Sequence, residues 1–134
     1  MRPISAPAAA IALTVSLAAC GGKPASDASQ VRDLLNKLAK ATVARDYRAL
    51  CDDVLARSLV EEVEKAGVPC PDALRAGLGG VRNPRLKIVR VKVTGKRAVA
   101  TVHTTATGQK ASDDRVSLVK GDDGWRVASL VNPG

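Results

Sequence analysis

The chain has no phenylalanine, one tyrosine (Tyr47), one tryptophan (Trp125) and one histidine (His103) among its 134 residues. Each shortage narrows what the protein can be. A core without Phe must be filled from Ala, Val and Leu, which suits a small domain with a thin stability margin. With two cysteines in the body of the chain and His103 the only histidine, a zinc site would need more ligands. There is no Cys-x-x-Cys, the usual spacing of a redox pair. No Gly-x-Ser-x-Gly elbow and no phosphate-cradling glycine loop occurs. What remains is an ordinary globular composition, 46% hydrophobic and 25% charged, with room for one domain.

The amino end has the layout of an export signal. Arg2 supplies a positive start, and Ala8 to Ala19 form an apolar stretch of twelve residues. That is shorter than the roughly 20 residues a membrane-spanning helix needs. The last four positions, Leu17-Ala18-Ala19-Cys20, resemble the lipobox of bacterial lipoproteins. In that family the cysteine sulfur receives a diacylglyceryl group and a peptidase cuts just before it. The resemblance implies a signal peptide over 1–19 and a lipidated Cys20. The protein would then be extracytoplasmic, anchored to the cell membrane by its lipidated N-terminal Cys. One acyl chain holds a protein marginally, and two or three hold it firmly. In the other reading the signal is an ordinary secretory one, Cys20 is accidental, and the product is soluble. Residues 20–28 comprise Cys20 and then Gly-Gly-Lys-Pro-Ala-Ser-Asp-Ala, which reads as a flexible tether.

From Ser29 the pattern turns helical. Val31, Leu34, Leu35, Leu38 and Thr42 recur at helical spacing, so 29–44 should be an amphipathic helix with Ser29 as its N-cap. "ARDY" breaks the stripe, and a second helix carries Tyr47, Leu50, Cys51, Val54 and Leu55. "SLVEEVEKAG" is a third, closed by Gly67. A short fourth helix starts near Pro71 and ends at Gly79-Gly80. After Gly80 the period becomes two. Strands are expected over 86–93, 97–106, 115–120 and 125–130, with "TGK" and "GDDG" as tight turns. Helices followed by an antiparallel meander define an α+β domain over 29–134, its helices packed on a curved four-stranded sheet.

This order resembles the nuclear transport factor 2-like superfamily, a cystatin-like α+β cone that includes ketosteroid isomerase and polyketide cyclases. The likeness covers about residues 29–131. It rests on the opening helix with "ARDYRALCDDVLA", the "VTGKRAVATV" hairpin and the closing "VSLVKGDDGWRVASL". The superfamily's enzymes place acid and base groups inside the cone, where an isomerase needs a carboxylate base and hydrogen-bond donors. Here Asp52, Asp53, Glu61, Glu62 and Glu64 fall on polar helix faces, and Asp113, Asp114, Asp122 and Asp123 in expected loops or turns. His103 alternates with Ala98, Ala100 and Val102 and should face away from the core. The carboxylates of "GDDG" read as turn residues rather than a calcium site. No catalytic residue, metal or cofactor is assigned. The expected function is a small binding or accessory domain, with a small apolar molecule as one possible occupant of the cone. An isomerase or cyclase with an unplaced acid/base residue is the alternative.

Cys51 and Cys70, nineteen positions apart, would meet an oxidising space after export, which favours a disulfide over a pair of buried free thiols. Charge is unevenly spread. Between Asp72 and Asp113 there is no acidic residue and there are nine basic ones. Without Arg2 the chain carries +7, while everything outside this segment sums to −2. The candidates for contact with an anionic surface are Arg82, Arg85, Lys87, Arg90, Lys92, Lys96 and Arg97. On a regular strand Arg90 and Lys92 share one face and Lys87 points the other way. The plain reading is a solvated face. The functional one is contact with lipid headgroups beside the anchor or with envelope polymers. Nucleic acid is not expected, because the segment has no aromatic to stack a base.

Overall fold

The computed structural model describes Pro3 and residues 25–131. The leader, Cys20 and the first part of the tether lie outside the described residues. Helix α1 spans Asp27–Ala44. Its N-cap is Ser26, whose Oγ accepts from the Ser29 N–H at 3.2 Å. Ser29, expected as the cap, thus lies in the first turn, and Asp27 and Ala28 leave the tether for the helix. Two contacts 93 and 98 positions away in sequence accompany this start. Asp27 Oδ1 accepts from Lys120 Nζ at 2.7 Å and from Trp125 Nε1 at 3.1 Å.

"ARDY" is a stop followed by a start. Arg45 closes α1 in the left-handed region (φ 55°), and the Asp46 carboxylate caps α2, Tyr47–Ala49, by accepting from the Ala49 N–H. The expected second helix then widens into a π-helical turn, Leu50–Val54, where the Leu55 N–H reaches the Leu50 carbonyl. Leu55 is extended. It bridges Val127 in parallel, and the Ala56 N–H donates to the Val127 carbonyl at 2.8 Å, so this segment seals part of one sheet edge. Helix α3 is Arg57–Glu64, and Gly67 follows it with φ 82°. Helix α4 is Cys70–Leu78, with Pro71 in its first turn and the Cys70 N–H held by the α3 residue Glu64.

Strands β1 (Arg85–Thr94), β2 (Arg97–Thr105), β3 (Ser112–Gly121) and β4 (Gly124–Val131) form an antiparallel meander in the order β1-β2-β3-β4. Gly95 (φ 59°) and Gly124 (φ 97°) supply the left-handed positions of the two tight hairpins. Extra residues at Val89 in β1 and Ala128 in β4 interrupt the register, and such bulges sharpen twist and bend.

One face of this sheet is aliphatic. Ala98, Ala100, Val102, Val116, Leu118, Trp125 and Val127 meet Val31, Leu34 and Leu35 of α1 and Leu50, Cys51 and Val54 of the π-helical turn. Each fully buried Val or Leu contributes about 1.5–3 kcal/mol. No polar side chain is buried among the described residues. Among the described residues, every buried core residue lies between Val31 and Val127, so a fragment starting at Gly21 retains the core they form.

The Cys51–Cys70 disulfide is present, tying the π-helical turn to the start of α4. Tyr47 is buried, with the Arg75 guanidinium 5.8 Å above the ring centroid.

The Asp27 cluster carries a pH signature. Hydrogen bonding from Lys120, and next from Trp125, holds the Asp27 carboxyl below its ordinary 3.8. A carboxylate depressed in the folded state contributes its stability above the unfolded value and loses it as pH falls through the folded one. Melting temperatures of the wild type and Asp27→Asn should therefore differ most above about pH 5 and converge towards about pH 2. A gap that stays constant across that range would show that the carboxylate charge is not what Lys120 and Trp125 hold.

Candidate functional site: a cationic sheet face

The other face of the sheet carries the charge. Register fixes which side chains share it. Val99, Thr101 and His103 on β2 alternate with the buried Ala98, Ala100 and Val102, so they lie on the outer face. Their β1 partners are Lys92, Arg90 and Lys87, and Arg85 lies opposite Thr105. All four β1 cations therefore share the outer face. The expectation that Lys87 points the opposite way from Arg90 and Lys92 fails for one reason: the extra residue at Val89 shifts parity between Ile88 and Arg90. Without the bulge Lys87 would have pointed into the apolar layer.

Three cross-strand rows follow. Arg90 is level with Thr101 and Arg115, Lys92 with Val99 and Ser117, and Lys87 with His103 and Asp113. Arg97 lies at the hairpin end, opposite Thr94 and Val119. Arg115 joins a face that the acid-free segment alone did not include. The alternation of "RVSLVK" was the signal for it, since Val116 and Leu118 are buried and Arg115 is not. Arg82 and Lys96 are elsewhere. Arg82 precedes β1 and its carbonyl accepts from Thr107, whereas the Lys96 carbonyl, in the opposite hairpin turn, accepts from Lys120. A ten-residue strand spans about 30 Å, so the candidate cations form a band along β1 and β2 and not one cluster.

Among the described residues, Arg85, Lys87, Arg90, Lys92, Arg97 and Arg115 take part in no ion pair. The single carboxylate in the three rows, Asp113, is engaged: its Oδ1 is 2.7 Å from His103 Nδ1. Asp113 and Asp114 belong to β3, which begins three residues earlier than its alternation suggested, and not to the preceding loop. Asp114 accepts from Thr104 and Ser112 hydroxyls, which pins that early start.

His103 and Asp113 form the acid/base pairing that the sequence did not reveal. Their side chains are 41% and 70% exposed and lie on an open face. None of the described clefts includes either residue.

The described clefts lie elsewhere. The largest, about 580 Å³, runs between the π-helical turn, α3 and the β3–β4 hairpin, and includes Asp52, Arg57, Ser58, Asp122, Asp123 and Arg126. No three metal-ligating side chains converge among the described residues. A second, about 370 Å³, lies over Tyr47 between Arg45, Arg48 and Arg75. Neither opens onto Ala98, Ala100, Val102 or Val116, the aliphatic face that would line the interior of a cone.

Helices packed on one side of a curved antiparallel sheet, with the opposite side bare, make a fold that this chain shares with solved structures, one of them an NTF-2-like protein. The chain superposes on the Kfla4162 protein from Kribbella flavida with a TM-score of 0.57 and 19% identity, over 79% of this chain and 88% of that one. It also matches an NTF-2-like protein of unknown function from Silicibacter pomeroyi, with a TM-score of 0.55 and 19% identity, over 76% of this chain and 90% of the other. At that identity the likeness is one of fold. No protein-family model and no curated protein matches the chain.

Proposed function

We propose that the protein is a lipid-anchored, extracytoplasmic accessory domain that binds through its cationic sheet face and does no catalysis there. The observation that carries this reading is the set of unpaired cations gathered by the Val89 bulge onto one uncovered face. The anchor is supported by the Leu17-Ala18-Ala19-Cys20 sequence behind a short apolar leader. The disulfide suits an oxidising location. Anchor and face work together: lipid on Cys20 keeps the domain at a membrane, and the face sets what it meets there.

In a native host, Cys20→Ser should move the protein from the membrane fraction to the soluble extracytoplasmic fraction. Retention of the variant in the membrane fraction would contradict the anchor. An isomerase-like reading has only the His103–Asp113 contact in its favour. It requires a substrate pocket on the outer face, where none of the described clefts lies.

A further inference from the structure

We propose that the partner of the outer sheet face is the headgroup layer of an anionic bilayer. This rests on the reading of that face as a docking surface and goes further, to what it docks on. Alternate residues on a strand are about 7 Å apart and neighbouring strands about 4.8 Å, so Lys87, Arg90, Lys92 and Arg115 form a shallow two-dimensional array. An array of this kind meets many separate phosphates at once. None of its cations lines a described cleft, so none of these clefts offers the array a groove to seat a single threaded polymer.

Two apolar side chains stand among the cations. Val99, in the row between Lys92 and Ser117, is 44% exposed, and Val89 at the bulge is 57% exposed. Aliphatic groups between cations suit a layer where phosphate gives way to acyl chain. Apart from Asp113, which His103 engages, the carboxylates cluster away from this face: Asp52 and Asp53 on the π-helical turn, Glu61 and Glu62 on α3, Asp122 and Asp123 in the β3–β4 turn. A domain charged in this way turns its β1–β2 side to a negative plane. Each cation close to such a plane strengthens binding about fivefold, and the gain fades over a Debye length.

The test uses the fragment starting at Gly21 with Cys20 absent, cosedimented with vesicles of phosphatidylcholine alone or with roughly one-third phosphatidylglycerol. The fragment should bind only the anionic vesicles and should release as salt rises from about 50 to about 300 mM. Arg90→Glu with Lys92→Glu should weaken binding by about thirtyfold or more. Arg48→Glu with Arg57→Glu, the same change in net charge on the helical side, should weaken it no more than about threefold. Thermal melts of both variants confirm that they are folded. No binding by the parent fragment, or equal losses in the two variants, would overturn the proposal. So would tighter binding to soluble linear polyphosphate than to vesicles, which would reassign the face to a polymer while leaving it a docking surface. Because the fragment lacks Cys20, none of these outcomes depends on the anchor, and the anchor's failure would show only in the fractionation of Cys20→Ser.

Discussion

Trp125→Ala is expected to cost about 3–5 kcal/mol, the usual range for removing a large buried aromatic. Trp125 is 3% exposed and is the only large aromatic in the core apart from Tyr47. It also spans two layers. Its ring packs in the aliphatic cluster while its Nε1 donates to Asp27 at the start of α1. Domains of this size hold together by roughly 5–15 kcal/mol, so the variant should lose about a fifth or more of its stability. On a melt this is a fall of about 12–40 °C. Trp125→Phe, which keeps most of the bulk and loses the N–H, should recover most of that fall. A Trp125→Ala variant that melts within a few degrees of wild type would mean that the small aliphatic residues close over the space, and that the core does not depend on its single indole.

The second large effect belongs to the disulfide. Replacing Cys51 and Cys70 together by Ala removes a bridge that closes a loop of 19 residues. Constraining a loop of that size stabilises by about 3 kcal/mol through the unfolded chain. Cys70 is fully buried and Cys51 nearly so, and the smaller alanines leave some of that space empty. The melting temperature should fall by about 12–24 °C. Reductant should bring wild type close to the double variant and leave the variant itself unmoved. A wild type indifferent to reductant, with two free thiols after denaturation, would remove the bridge from the stability of this domain.

The sequence made the regular parts plain. The α1 stripe of Val31, Leu34, Leu35 and Leu38, the "TGK" and "GDDG" turns and the alternation of β2 follow from period and turn chemistry, and the structure agrees. What escaped depended on contacts distant in sequence. Ser26 and Ser29 are equally good caps by composition. The Asp27 contacts with Lys120 and Trp125, on the last hairpin, accompany the choice of Ser26. Ser112 to Asp114 have poor strand propensity, and they pair with β2 because Thr104 and Ser112 satisfy the Asp114 carboxylate. The π-helical turn has no pattern of its own, since one added residue in a helix shifts hydrogen bonds without altering composition.

The site shows the same division. Excess cation in one segment was legible as composition, and its arrangement was not. A bulge is one residue long, and "LKIVRVKV" reads as an unbroken strand. Because side chains alternate with period two, that one residue decides whether Lys87 faces the apolar core or joins Arg90 and Lys92 outside. His103 was correctly placed on the outer face, but its partner Asp113 emerged only once β3 was extended to Ser112.

The proposed export and anchoring would join the leader, the disulfide and the charged face into one arrangement, and mass spectrometry of the unreduced protein, purified from its native membrane, tests that most directly. The expected result is an N-terminal peptide beginning at Cys20 and heavier by a diacylglyceryl group, together with a linked pair of peptides containing Cys51 and Cys70. A chain still beginning at Met1, with all three thiols free, would contradict it.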